Sequence, residues 1–203
     1  MNLKLRLGIL TALLMGANFA QADGKIYLSA GAGTFDHERT NIFIRSSTGT
    51  TTWLSAPSAE TDLVTVAWGI ADESARFLVE YYHQTGDMTE LSADYTKQSL
   101  FYSGYWTPNL YVPGLHGILG AGIGGAQLSL ESDNELIGDD FDDREAQYKL
   151  TAGVEYRLMD LVTFYGTYER HYTRTFSHWT EARQIDVQDA EQSVVQFGVA
   201  ARF

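Results

Sequence analysis

The chain has 203 residues, no cysteine and a formal net charge of −12. These values exclude a disulfide framework, a thiolate metal site and a basic surface able to neutralise nucleic-acid phosphates. Aromatic residues make up 13% of the chain, and after residue 22 no run is long and apolar enough for a spanning helix. Any membrane insertion must therefore be through a closed β-barrel, the other fold that satisfies its backbone in lipid.

At the start, Lys4 and Arg6 precede an apolar run from Leu7 to Ala20, and Ala20-Gln21-Ala22 offers small residues at both positions of a cleavage site. This is the pattern of a secretory signal over 1–22, followed by a barrel domain over 23–203. Loss of the two basic residues makes the remaining chain more acidic still.

Beyond the signal, segments of roughly ten residues alternate in polarity, as half-exposed strands do. The first, Lys25 to Phe35, sets Ile26, Leu28, Ala30 and Ala32 against Tyr27, Ser29, Gly31 and Gly33. A long polar connection over His37 to Thr61 follows, with Ser46-Ser47-Thr48-Gly49-Thr50 as its tip. The second strand, Asp62 to Ala71, offers Val64, Val66, Trp68 and Ile70 to one side; a tight turn at Asp72-Glu73-Ser74 leads into the third, Ala75 to Thr85. There Phe77, Val79 and Tyr81 oppose Arg76, Leu78, Glu80 and Tyr82. Gly86 to Asp94 reads as a loop, and the fourth strand, Tyr95 to Trp106, sets Leu100, Tyr102 and Trp106 against Lys97, Ser99, Phe101 and Ser103.

Pro108, Pro113 and Gly114 break the chain over Pro108 to His116. The fifth strand, Gly117 to Leu130, turns Leu119, Ala121 and Ile123 outward, and an acidic loop covers Glu131 to Glu145. In the sixth, Tyr148, Leu150, Ala152, Val154, Tyr156 and Leu158 oppose Lys149, Thr151, Gly153, Glu155 and Arg157. A turn at Met159-Asp160 precedes the seventh, Leu161 to Tyr172, with Val162, Phe164, Gly166 and Tyr168 outward. A last long loop, Thr173 to Ala190, leads to a closing strand whose Val195, Phe197, Val199, Ala201 and Phe203 share one side.

The charged side of each strand also holds its Gly, Ser and Ala. Small residues suit the crowded interior of a barrel of about eight strands, so the aliphatic sides face outward. The expected fold is all-β: an eight-stranded, antiparallel, up-and-down transmembrane barrel. Both termini lie at its short-turn end, as in bacterial outer-membrane proteins. Trp68, Trp106, Tyr148, Tyr156, Tyr168 and Phe203 are expected in interface girdles, and Trp53 and Trp179 in the outer loops are candidates for an adhesive surface.

Three stretches resemble the small OmpA-like barrel superfamily, which includes OmpX/Ail-type proteins. They are Arg76-Phe77-Leu78-Val79-Glu80-Tyr81-Tyr82, Gly120-Ala121-Gly122-Ile123-Gly124 and Ala152-Gly153-Val154-Glu155-Tyr156-Arg157, joined by the terminal Phe203. The resemblance spans nearly all of 23–203. It implies a Gram-negative outer-membrane location, contact with membrane lipid and lipopolysaccharide, and Phe203 as the signal read by the barrel-assembly machinery. It names no activity, and a monomer is expected.

Arg76, Glu80, Lys97, Lys149, Glu155, Arg157, Glu169 and Arg202 fall on inward sides. Unpaired burial would cost several kcal/mol, so these eight are expected to form a structural ion-pair network. The same residues would line a narrow ion or small-solute channel, the alternative reading. The acidic loop lacks the fixed Gly and Glu offsets of a calcium-binding EF-hand and reads as a solvated surface; divalent ions bridging it to lipopolysaccharide are a minor alternative.

His171-Tyr172-Thr173 places a His and a hydroxyl at the spacing found in the lipid A deacylase family. Here Thr replaces the Ser, Arg174 replaces the following Asn, no orienting acid is identifiable, and His171 falls inward. His37, His83, His116 and His178 show no metal spacing. No catalytic residue, cofactor or metal is expected; the function to expect is structural or surface-interactive, through the outer loops.

Overall fold

The computed structural model describes residues 24–37, 40–46, 49, 51–56, 60–88, 93–132, 141–159, 161–179, 183–188 and 191–203. The expected signal over 1–22 lies outside them, as does most of the acidic loop. Within them the chain is all strand and turn. Eight strands form the barrel: β1 (Lys25–His37), β4 (Glu60–Ala71), β5 (Ala75–Met88), β6 (Ala93–Trp106), β7 (Leu115–Ser132), β8 (Phe141–Arg157), β9 (Val162–Thr173) and β12 (Glu191–Arg202). They close in the order β1-β12-β9-β8-β7-β6-β5-β4, every neighbour antiparallel.

The alternation read from the sequence is the alternation of burial. Each strand holds a large apolar side chain exposed on the outside: Leu28, Val66, Phe77, Leu100, Ile123, Leu150, Phe164 and Phe197. Tyr27, Arg76, Glu80, Lys97, Lys149, Glu155 and Glu169 are buried within. An apolar exterior around a polar interior inverts the pattern of a soluble barrel and is the arrangement a bilayer stabilises. Trp68, Trp106, Tyr148, Tyr156, Tyr168 and Phe203 all stand on this outer surface.

Two expected loops are not plain loops. The segment between β1 and β4 contains β2 (Thr40–Ser46) and β3 (Thr51–Ala56), and the segment between β9 and β12 contains β10 (Phe176–Trp179) and β11 (Arg183–Gln188). These four build a second sheet in the order β10-β11-β2-β3. Its central pair continues the seam of the barrel. β1 and β12 run in register from Tyr27↔Arg202 to His37↔Gln192, and β2 and β11 take up again at Asn41↔Gln188 and run to Ser46↔Arg183. The barrel strands also extend past their expected ends: Glu131 belongs to β7 and Asp142 to Glu145 belong to β8, not to a loop.

One close approach shapes the seam. Gly31 of β1 faces Gly198 of β12, which in turn faces Tyr165 of β9. A Cβ on Gly31 would come within 2.8 Å of the Tyr165 hydroxyl, and one on Gly198 would meet the Tyr165 ring. The paired glycines leave the room that lets this ring lie inside the wall.

At the short-turn end, the β4–β5 turn is held by Asp72, whose Oδ1 accepts the N–H of Ser74 at 2.7 Å and of Ala75 at 2.6 Å. The Ser74 bond, helped by that from Ala75, holds this carboxyl below its ordinary range against the opposing effect of burial. The β6–β7 turn ends on Gly114, whose φ of 78° is left-handed and favours glycine.

Candidate functional site

The barrel brings seven of the eight inward charges together in two clusters, with Lys97 standing apart. Near the short turns, Glu155 of β8 is the hub. Its Oε2 receives Arg76 Nη1 of β5 at 2.6 Å, and its Oε1 receives Arg157 Nη2 at 2.8 Å and Arg202 Nη2 of β12 at 3.0 Å. Arg76 also donates to the Tyr27 hydroxyl at 3.1 Å. Arg157 reaches across the barrel mouth to the Glu73 carbonyl at 3.0 Å and the Thr107 hydroxyl at 3.2 Å, and its backbone N–H donates to the Gly114 carbonyl at 2.7 Å. One residue thus fastens the β4–β5 and β6–β7 turns to the end of β8.

Midway along the barrel, Lys149 of β8 is fully buried. It pairs with Glu80 of β5 at 2.8 Å and with Glu169 of β9 at 3.2 Å. Its ammonium also donates to the hydroxyls of Tyr105, at 3.0 Å, and Tyr82. Each phenol passes the interaction on, Tyr105 to Glu80 at 2.8 Å and Tyr82 to Glu169 at 2.9 Å. Gln196 and Thr151 complete the shell of Glu169 at 3.1 and 3.3 Å. Buried charges so fully paired and hydrogen-bonded are tolerated; a single unpartnered one would not be.

His171 lies just beyond, with Nε2 at 2.8 Å from Glu169 Oε2 and three rings, Phe35, Tyr82 and Phe101, within 5.7 Å of its own. An acid therefore does orient His171, contrary to the sequence-based expectation: it is Glu169, two residues earlier and on the same inward side. The imidazole is nevertheless fully buried, and the Thr173 hydroxyl accepts from Gln147 at 2.6 Å. Neither group faces lipid. Lys97 sits higher on β6, buried, and donates to Gln192 at 2.7 Å. Its ammonium stands 5.9 Å from the ring centres of both Phe35 and Phe176.

All eight expected interior charges are thus buried or half-buried inside the barrel. The tyrosines that link them, Tyr27, Tyr82 and Tyr105, are legible in the sequence only as inward positions. Between the clusters the residual void is about 20 Å³, bordered by Glu80, Tyr105, Glu169 and Gln196; that is room for about one water. At the short-turn mouth the interior widens into a cavity of about 880 Å³. Among the described residues no group of three or more His, Asp or Glu side chains could hold a metal ion.

A closed eight-stranded barrel with a lipid-compatible exterior and a packed polar interior has the fold of the small outer-membrane barrels. Solved structures of that class are similar to this chain. Neisserial surface protein A matches with a TM-score of 0.59 at 17% identity, covering 88% of this chain and 97% of its own. A major outer membrane protein of Thermus thermophilus gives 0.52 at 12% identity, covering 89% and 99%. The N-terminal β-barrel domain of Pseudomonas aeruginosa OprF gives 0.50 at 13% identity, covering 89% and 100%. No family model and no curated protein matches the chain. At these identities the likeness is one of fold.

Proposed function

We propose that this protein is an integral outer-membrane barrel with a structural or surface-interaction role. It acts through the connections at its long end, and its lumen serves as a packed core. The observation that carries this reading is the contrast between the two regions. Seven of the eight interior charges sit in two ion-paired clusters with a void of about 20 Å³ between them, whereas the long connections build an ordered four-stranded sheet beyond the barrel. In this reading residues 1–22 direct export, lipid and lipopolysaccharide surround the barrel, and the short turns face the periplasm.

Two measurements test it. Purified barrel in planar bilayers should show no discrete conductance steps; steps that change on replacing Glu80 by Gln would support a channel instead. Cells displaying a variant with short Gly/Ser turns in place of 40–56 and 176–188 should keep folded, heat-modifiable barrel and lose adhesion to host-cell or matrix surfaces. Unchanged adhesion would remove the surface role of that sheet.

Phe203 fits the role of assembly signal proposed for it. Its N–H donates to the Ile26 carbonyl and its carbonyl accepts from Ile26 N–H, both at 3.0 Å, so Phe203 closes the ladder onto the first strand. Deleting Phe203 is expected to lower the urea-resistant membrane fraction several-fold at equal expression, since an unpaired edge does not persist in lipid. Wild-type levels of folded, membrane-embedded protein would refute the role.

A further inference from the structure

The cavity at the short-turn end is unexplained by a purely structural barrel. It offers about 880 Å³ open to the short-turn side, within the size range of small-molecule sites. Above it, between the two ion-pair clusters, the void among the side chains is about 20 Å³. That leaves room for about one water behind the cavity, which favours a pocket over the mouth of a pore.

Its inner wall carries an imbalance of charge. Three guanidinium groups, those of Arg76, Arg157 and Arg202, share the single carboxylate of Glu155 at 2.6 to 3.0 Å. Arg76 and Arg202 are more than nine-tenths buried, and the Nε atoms of both lack a hydrogen-bond partner. Arg157 and Arg202 line the cavity itself, together with Lys25 and His116. The carboxylates of Asp72 and Glu73 stand at the rim, and that of Asp72 is committed to its own turn at 2.6 and 2.7 Å. Counted with the rim, four cations, Arg76, Arg157, Arg202 and Lys25, stand against three carboxylates, Glu155, Asp72 and Glu73, so the vestibule keeps an excess of one positive charge. Three guanidinium groups sharing one carboxylate, at the end of an open pocket, are the elements of an oxyanion clamp.

We infer that this vestibule is a binding site for a compact oxyanion, the carboxylate or phosphate group of a molecule reaching it from the periplasm. Arg157 and Arg202 hold the anion, Lys25 steers it at the rim, and Arg76 supplies field from behind the wall. The site is independent of any role of the outer sheet.

The test uses the complete barrel refolded in non-ionic detergent. Inorganic phosphate and succinate are titrated separately against chloride at matched ionic strength, and the side-chain Nε–H resonances of the arginines are followed by NMR. Saturable shifts at Arg157 and Arg202 are expected with at least one of the two, and which one binds tells a phosphate source from a carboxylate source. Arg202→Gln should weaken binding about tenfold, the loss of one charge-assisted bidentate contact, with Arg202→Lys intermediate. Glu155→Gln should strengthen it by releasing the guanidiniums that this carboxylate occupies. Should Arg202→Gln fail to fold, as judged by gel mobility, Lys25→Gln at the exposed rim provides the weaker-binding variant. Shifts that do not saturate, that chloride reproduces, or that survive both the Arg202 and Lys25 replacements would overturn the assignment.

Discussion

Replacing Lys149 by methionine is expected to destabilise the barrel by about 3–5 kcal/mol, the cost of leaving buried carboxylates without their cation. Among the described residues, Lys149 is the cation that joins Glu80 at 2.8 Å to Glu169 at 3.2 Å, and it anchors the two tyrosine hydroxyls that serve the same acids. The loss should be recovered in large part by the triple variant Lys149→Met, Glu80→Gln, Glu169→Gln, which removes the stranded charges with little change in shape. Urea unfolding in lipid vesicles, followed by tryptophan fluorescence and gel mobility, measures both. A single-variant loss below about 1 kcal/mol would place this cluster among screened surface pairs rather than buried ones.

The second large effect concerns the opposite face. Phe197 lies midway along β12 and is 68% exposed on the outside of the barrel. Arginine there should cost about 2–4 kcal/mol in a bilayer, the penalty for a cation near the midplane on a lipid-facing strand position. At Tyr111, 99% exposed in the β6–β7 turn, the same change should stay within about 0.5 kcal/mol, as for an ordinary surface site. Equilibrium unfolding in vesicles compares the two. Equal tolerance at both positions would mean that Phe197 does not face lipid.

The barrel was readable from single strands because lipid imposes a simple demand: every second residue must be apolar. Tyr148 to Leu158 shows this most clearly, and parity alone put Arg76, Glu155 and His171 inside. Which interior groups meet was not readable. Glu155 touches arginines from β5 and β12, and those contacts depend on register between strands, which no strand encodes by itself. The outer sheet escaped for a related reason. Thr40–Ser46 and Arg183–Gln188 carry Ile42, Ile44, Ile185 and Val187 at alternate positions, yet neither stretch supplies the long apolar face expected of a lipid-facing strand. Polar neighbours made both read as loop, although the tip at Ser46 to Thr50 between two β-branched runs was a hairpin signal.

A barrel has one junction that no turn bridges, where the first strand meets the last. Here eleven register pairs join β1 to β12, and six more join β2 to β11 above them. The chain thereby zips its own ends together beyond the stretch that lipid encloses. Pulling the wall apart at its uncovalent junction means unpicking the outer six before the inner eleven can separate at that end. These pairs also span the greatest distance along the sequence, so loop-closure entropy delays them most. Closing this zip is the step expected to finish assembly, and its outer teeth are those that stand clear of the barrel wall.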